Sequence, residues 1–568
     1  MTWNGWLQIL LYLLILILAV KPLGGYMAKI HQGERVFLTP VLGPTERWLY
    51  RLASIDKDEE MNWKEYAGAL LLFSAIGLVS LFLLLIIQQF HPLNPMGKGA
   101  VSPDLAFNTA TSFVTNTNWQ NYGGEGTLSY LSQMLGLTVQ NFFSAAAGMG
   151  VLVAFIRGFT RHNTHHLGNF WVDLTRSILY ILLPLSLLAA IFLVSQGVVQ
   201  TIAPSVTARM VESSSQQTIA VGPAASQIAI KMLGTNGGGF FNANSAHPFE
   251  NPSPVTNFVE MVMILLIPGA SCYMFGRMVK DTRQGWAILA AMLILLVGFI
   301  AVAYGAEAAG NPALSKLGVD PTGGNMEGKE VRFGVANSAL WSVLTTAASN
   351  GSVNSMHASY TPLGGLSQLV MMMVGEVVFG GVGSGLYGML VFVVIAVFVA
   401  GLMVGRTPEY LGKKIEAFEV KMVSLLILIM PLTVLVLTAL AVSLEVGRNS
   451  VLNPGAHGFS EILYAFTSQG NNNGSAFAGL NGDTVFYNLF GALAMLVGRF
   501  GLAIPTLALA GSLANKKIIP IGAGTLSTTS GLFIGWLIAV ILLVGALNFI
   551  PALALGPVIE HLIMTGGM

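Results

Sequence analysis

Asn116-Thr117-Asn118, Thr235-Asn236-Gly237, Asn350-Gly351-Ser352 and Asn472-Asn473-Gly474 are four short polar stretches, each lying between long apolar runs. Bilayer hydrocarbon cannot hydrogen-bond an exposed backbone, so irregular polar chain at membrane depth survives only inside protein or beside water. Rings of carbonyl oxygens are the usual reason to build one. The stretches therefore predict a fourfold, cation-selective pore. Asn and Gly also dominate ordinary surface turns. What argues against four such turns is their recurrence at residues 116, 235, 350 and 472, always in the order span, outer loop, polar stretch, span, basic loop.

Outward from these stretches the chain is apolar. Over 568 residues it is 54% hydrophobic and 9% charged, which marks a polytopic membrane protein, all-α by expectation. Ten spans are expected, near Trp6–Val20, Ala67–Ile87, Leu131–Ile156, Ser177–Val194, Phe258–Phe275, Gly285–Tyr304, Leu366–Val404, Val423–Leu444, Phe486–Ala514 and Leu532–Leu555. Met1 to Val20 lacks the basic start of a secretory signal and reads as a retained first span. The single Cys272 excludes disulfides within the chain.

A net charge of +1 points to no nucleic-acid partner, yet Lys and Arg crowd one side. Arg35, Arg47, Arg51 and Lys57 share the first loop, and alternate loops carry Arg157 and Arg161; Arg277 and Lys280; Arg406, Lys413 and Lys414; and Lys516 and Lys517. Those loops should be cytoplasmic, which puts both termini and all four stretches outside. Lys231, Lys329 and Arg332 are among the few cations left on the outer side.

A short helical segment precedes each stretch. The first shows its start in Ser102 as cap, Pro103 at the first helical position and Asp104 in the first turn; Pro223 and Ser460 can start the second and fourth. Pro103 to Thr115 gives roughly 20 Å of helix, too short for a core of about 30 Å. Such a segment dips in and returns, aiming its partly negative C-terminus at the membrane interior. The expected units are 1–64 (first span and loop), 65–172, 173–284, 285–419 and 420–520 (pore repeats 1 to 4) and 521–568 (final span).

The residues also carry a family resemblance. SFVTNTNWQ (Ser112–Gln120), KMLGTNGGGFFNANS (Lys231–Ser245), GEVVFGGVGSGLYG (Gly375–Gly388), GRTPEYLGKKI (Gly405–Ile415) and NNNGSAFAGL (Asn471–Leu480) make the whole chain resemble the potassium-binding A subunits of the Kdp potassium-transporting P-type ATPases, relatives of potassium channels and of Trk and Ktr transporters. That resemblance implies a subunit that binds K+ from outside in a selectivity filter and hands it, within the membrane, to a separate catalytic P-type ATPase subunit. It also implies a small stabilising subunit, a short accessory peptide and a bacterial or archaeal plasma membrane. By the match, the carbonyls of the twelve stretch residues are the K+ ligands, with Gln120 and Asn244 as candidates for a first site at the mouth. No TVGYG occurs, so fourfold symmetry is approximate; Gly237 and Gly474 hold the third position of their stretches, where Asn118 and Ser352 stand in the others. The chain has no DKTG and no GxxxxGK[ST] motif and is not expected to hydrolyse ATP itself, nor to need an organic cofactor. The rival reading is a passive potassium channel or secondary transporter without an ATPase partner.

Two further features bear on the ion's path. Leu366 to Val404 is about twice the length of one span and is interrupted by Gly380, Gly381, Gly383, Gly385 and Gly388. It reads as a broken helix, either a gate below the filter or a tilted helix packed through small residues. Glu376 in that run and Arg499 in the ninth are expensive in hydrocarbon unless paired or hydrated. They are candidates for pairing with each other, either along the ion path or as a buried structural pair. Asp104, Glu125, Glu250, Glu327, Glu330 and Asp483 lie on the outer side, to concentrate cations or simply as solvated loop residues. The GxGxxG match at Gly383–Gly388 lies in an apolar helix and is rejected as a nucleotide motif. His162, His165 and His166 read as solvated.

Overall fold

The structure is a computed structural model that describes residues 1–213, 215–520 and 525–566; parts of the expected 521–568 unit lie outside the described residues. Among the described residues ten helices are long and apolar enough to cross a membrane: Trp3–His31, Trp63–Ile86, Ser132–Thr160, Phe170–Ser195, Pro254–Met278, Thr282–Lys316, Ser384–Val404, Ala417–Ser443, Val485–Asn515 and Gly531–Thr565. We number them spans 1 to 10. Strand structure among the described residues is confined to three two-stranded ribbons, all in loops.

Four short helices dip between the spans: Pro103–Val114, Ala224–Leu233, Gly334–Ala347 and Ala456–Gly470, here pore helices 1 to 4. At about 1.5 Å per residue they reach roughly 15–23 Å, so none crosses a core of about 30 Å. Their starts are only partly as expected. Ser102 holds the cap position but its side chain caps nothing, and Pro103 and Asp104 fill the first turn. Pro223 immediately precedes pore helix 2. Pore helix 4 begins at Ala456 rather than Ser460, because Gly455, with φ +87°, turns the chain a full helical turn earlier.

Each pore helix lies between two spans, and the span that follows it is the better buried in the first, second and fourth repeats. Span 1 packs along span 5, where a Cβ on Gly24 would meet the Ala270 carbonyl at 2.4 Å, so only glycine permits the approach. In the third repeat the long apolar run is two helices, Pro362–Met373 and Ser384–Val404, separated by ten residues that are not helical. Within that break Gly375, Glu376, Phe379, Gly380 and Gly383 all have positive φ, which removes the helical hydrogen-bond ladder.

Both ends of the described chain lie on the face where the pore helices start. Thr2 N–H donates to the Tyr304 hydroxyl at 2.8 Å, and Glu560 accepts from His457 in pore helix 4 at 2.7 Å. On the opposite face Arg157 grips Asp173 with two bonds, at 2.5 and 2.8 Å, and the Tyr66 hydroxyl donates to the same carboxylate at 3.0 Å. A buried charge survives only when paired and hydrogen-bonded; this group fastens spans 2, 3 and 4 together.

Candidate ion-binding site

Every pore helix ends in the same turn. Its second residue past the helix is left-handed, at Asn116 (φ +69°), Thr235 (+49°), Ser349 (+53°) and Asn472 (+56°). The next residue sends its N–H back to the helix: Thr117 to Ser112 O (2.9 Å), Asn236 to Lys231 O (2.9 Å), Asn350 to Thr345 O (3.1 Å) and Asn473 to Ser468 O (2.8 Å). This is a Schellman closure, which normally places glycine at the left-handed position. The residue after it is left-handed again, at Asn118 (+53°), Gly237 (+79°), Gly351 (+83°) and Gly474 (+101°). Two left-handed residues on either side of one that is not break the regular run of peptide planes at the same three positions in all four repeats.

The backbone corrects the third stretch. Its equivalent residues are Ser349-Asn350-Gly351, one position earlier than Asn350-Gly351-Ser352. Side chains agree with that register: Ser352 N–H donates to Asn350 Oδ1 at 3.0 Å, as Ser475 N–H does to Asn473 Oδ1 at 3.1 Å. Glycine thus occupies the third position in three repeats, and Asn118 alone departs, its Nδ2 tied to Asn141 Oδ1 at 2.7 Å.

The turns interlock in a ring. A Cβ on Gly237 would sit 1.7 Å from Asn350 O, one on Gly351 2.2 Å from Asn473 O, and one on Gly474 2.1 Å from Thr117 O. Side chains tie the same neighbours. Asn116 Nδ2 donates to Thr235 O (2.9 Å), Asn350 Nδ2 to Lys231 O (3.1 Å), Ser349 Oγ to Asn471 O (2.9 Å) and Asn472 Nδ2 to Thr117 Oγ1 (3.0 Å). Four helix C-termini, each with about half a negative charge, meet here in a buried polar ring.

Gln120 and Asn244 are occupied differently from a mouth site. Gln120 clamps Gly239, accepting its N–H at 2.8 Å and donating to its carbonyl at 3.1 Å. Asn244 Oδ1 accepts from Lys231 Nζ at 2.8 Å while its Nδ2 donates to Gly237 O at 2.7 Å. Lys231 and Glu250, read from the sequence as outer-side charges, are both fully buried and paired with each other. The sequence held one signal of this, a lysine in an otherwise apolar turn immediately before a polar stretch. Other outer acids are engaged too: Asp104 accepts from Asn488 at 2.8 Å, and Glu125 accepts the Asn242 N–H at 3.0 Å.

Below the ring lies a cavity of about 70 Å³, room for several waters at roughly 10–15 Å³ each. Asn116, Ser349 and Asn472 line it from above; Val544, Gly545 and Asn548 of span 10 and Met430 and Pro431 of span 8 line it from the side. Thr235 is closed off instead, its Oγ1 accepting the Val382 N–H at 2.9 Å. The break at 374–383 is thus docked on the ring, and Gly380 N–H also reaches Ala347 O, at the end of pore helix 3, at 2.8 Å. Glu376 and Arg499 both line the cavity but do not pair. Glu376 accepts from Asn473 Nδ2 at 3.0 Å, and Arg499 donates to Ser144 O at 2.7 Å. The positive φ of Glu376 turns its carboxylate up to the ring, out of reach of the arginine.

Behind turns 3 and 4, His357 Nδ1 meets the Tyr464 hydroxyl at 2.9 Å, and that hydroxyl meets Ser475 Oγ at 2.8 Å. Burial, with the nearby Lys329 charge, pushes the His357 imidazole down to about 3.

This arrangement has relatives. The family model of the potassium-transporting ATPase A subunit matches residues 10–562. The chain belongs to that family. Among its relatives are the potassium-transporting ATPase potassium-binding subunits of Herpetosiphon aurantiacus, 63% identical over 99% of both chains, and of Methylococcus capsulatus, 61% identical over the full length of both. The crystal structure of the potassium transporter TrkH from Vibrio parahaemolyticus shares the fold, with a TM-score of 0.51 and 15% identity over 88% of this chain and 97% of that one. The ten membrane-length helices among the described residues account for the apolar composition of this chain, and the ring of turns is its polar centre.

Proposed function

We propose that this chain is the potassium-selecting, non-catalytic subunit of an ATP-driven uptake pump. The observation that carries the reading is the ring of four equivalent turns, doubly left-handed and locked to one another at the convergence of four helix C-termini. Carbonyls held in this way replace the water of a cation, and the helix ends add a field that favours positive charge. Potassium is the cargo named for the relatives. It reaches the ring from the face where the pore helices begin, which we take to be extracytoplasmic, with both termini on that side.

From the ring the ion passes into the cavity below. The break at 374–383, with Gly380, Gly381 and Gly383, is the gate, because it is docked on turns 2, 3 and 4 by hydrogen bonds at Val382, Gly380 and Glu376 that a small rotation would release. Glu376 and Arg499 flank the onward path. Delivery is lateral, toward spans 8 and 10, to a separate P-type ATPase chain on which ATP is hydrolysed; a small stabilising subunit and a short peptide complete the complex in the plasma membrane of a bacterium or archaeon.

The test is to purify the chain from native membranes in mild detergent, identify what accompanies it, and measure potassium-stimulated ATP hydrolysis beside Gly237→Asp. A co-purifying P-type ATPase whose potassium response is weakened in the mutant is the expected result. A chain that arrives alone and conducts potassium without ATP overturns the reading.

A further inference from the structure

The second repeat is the one that carries a lysine within its pore helix. As the third residue from the end of each pore helix the chain has Ser112, Lys231, Thr345 and Ser468. Lys231 has no solvent exposure. Its ammonium lies between the Glu250 carboxylate and Asn244 Oδ1, the latter at 2.8 Å, and Glu250 also accepts the Phe241 N–H at 2.9 Å.

Stability alone gives no reason for this choice, since replacing a buried ion pair by apolar residues of similar volume is often neutral or favourable. The reason lies in what the pair holds. Asn244 Oδ1 is fixed by Lys231 and by the Ser245 N–H at 2.8 Å, which aims its Nδ2 at Gly237 O, 2.7 Å away. Gly237 is the third residue of turn 2, the one seated against Asn350 O. The backbone carbonyl of Lys231 meanwhile accepts from Asn236 N–H, Gly237 N–H and Asn350 Nδ2. Lys231 therefore fastens turn 2 from both ends. Among the described residues the matching carbonyls of Asn118, Gly351 and Gly474 accept no side-chain hydrogen bond.

We infer that Lys231, neutralised by Glu250, is a positioning residue for ion selection: acting through Asn244 it fixes the Gly237 carbonyl and makes repeat 2 the rigid wall of the ring. This rests on the reading of the chain as an ion-selecting subunit. Glu250 keeps the ammonium from repelling the cargo, and the amide passes on its orientation without presenting its charge.

The test uses the whole complex with Lys231→Met, Lys231→Met/Glu250→Gln and Asn244→Leu. Readouts are melting temperature, the potassium concentration giving half-maximal ATP hydrolysis, and the relative response to K+, Rb+ and NH4+. Lys231→Met should raise the half-stimulating concentration about tenfold, or roughly 1.4 kcal/mol, and narrow discrimination among the three ions. The double variant removes the Glu250 carboxylate together with the ammonium and leaves Glu260 its bond from Ser245 Oγ at 3.2 Å, so it should regain melting temperature while keeping the altered ion response. Asn244→Leu, with the ion pair intact, should show the same altered response. A double variant restored in both respects, or Asn244→Leu behaving as wild type, overturns the inference and leaves the pair structural. If the wild-type complex itself shows no potassium dependence, it is the reading of the chain as ion-selecting subunit that fails.

Discussion

A single methyl group at Gly237 should damage potassium recognition more than one at any other ring glycine. In Gly237→Ala the new Cβ falls 1.7 Å from Asn350 O, and real Cβ contacts do not go below 3.0 Å, so the oxygen must retreat by about 1.3 Å. For Gly351→Ala and Gly474→Ala the starting distances are 2.2 and 2.1 Å, and the retreat is roughly 0.8–0.9 Å. Take a carbonyl charge of about one half, initially about 3 Å from a monovalent ion at an effective dielectric of about 20. Moving it back by 1.3 Å loses roughly 0.8 kcal/mol and by 0.8 Å roughly 0.6 kcal/mol. These correspond to about fourfold and threefold weaker binding, before any readjustment of neighbouring carbonyls. The left-handed backbone adds about 1 kcal/mol against folding in each case. The assay is potassium-stimulated ATP hydrolysis by the purified complex, with Gly298→Ala as control. Gly298 lies in span 6, has helical φ and faces open space, so alanine there should leave the response unchanged. Wild-type potassium dependence in Gly237→Ala, or equal damage from Gly298→Ala, would refute the interlocked ring.

Three other outcomes follow from the same geometry. Because Glu376 and Arg499 bind different partners, Glu376→Gln and Arg499→Gln should act additively on half-maximal stimulation, within about 0.5 kcal/mol in a double-mutant cycle; strong coupling would mean they pair during transport. Ser349→Gly relieves a left-handed serine worth about 1 kcal/mol but loses the bond to Asn471 O, worth about as much, so melting should barely change while ion discrimination falls; the reverse pattern would make the bond ornamental. His357 titrates near 6.5 when unfolded and about 3 when folded, so the native state binds fewer protons in that window and stability falls as pH drops through it, by about 2 kcal/mol at pH 5. His357→Gln should flatten that part of the melting-against-pH curve between pH 7 and 5, and an unchanged slope would rule this histidine out.

The spans were legible because each must satisfy its own backbone in hydrocarbon, and runs such as Leu532–Leu555 announce that by composition alone. The pore helices were legible from length: twelve residues after Pro103 cannot cross. What composition does not encode is handedness at a single residue. Asn350-Gly351-Ser352 matches its sister stretches as letters, yet Ser349 is the left-handed residue and Ser352 lies past the turn. Glu376 and Arg499 were matched as the two charges in apolar runs, whereas the break at 374–383 redirects one of them to Asn473. Burial of Lys231 was hidden because a lysine in a short helix on the outer side ordinarily reaches water, and only tertiary packing brings Glu250 from nineteen residues away to meet it.

The choice of residues at the first left-handed position explains why the turns read as Asn, Thr and Ser rather than Gly. A Schellman closure is easiest with glycine, and a non-glycine residue there costs about 1–2 kcal/mol, less for asparagine. Each of the four repays that strain through its side chain: Asn116 to Thr235 O, Thr235 to the Val382 N–H of the break, Ser349 to Asn471 O, and Asn472 to Thr117 Oγ1. Three of these bonds cross to the next turn, and the fourth crosses to the break at 374–383. In repeats 2 to 4 glycine returns two residues further on, where no side chain fits against the neighbouring carbonyl. The alternation is therefore a division of labour along three residues of chain, with side chains binding the ring where there is space for them and bare backbone where the turns must touch. Repeat 2 is the exception at the inner end, since its threonine is spent on the break rather than on a neighbouring turn. The side between turns 2 and 3 is closed instead by Asn350, whose Nδ2 donates to Lys231 O at 3.1 Å, so the ring is tied on all four sides and the threonine of repeat 2 is left to hold the break.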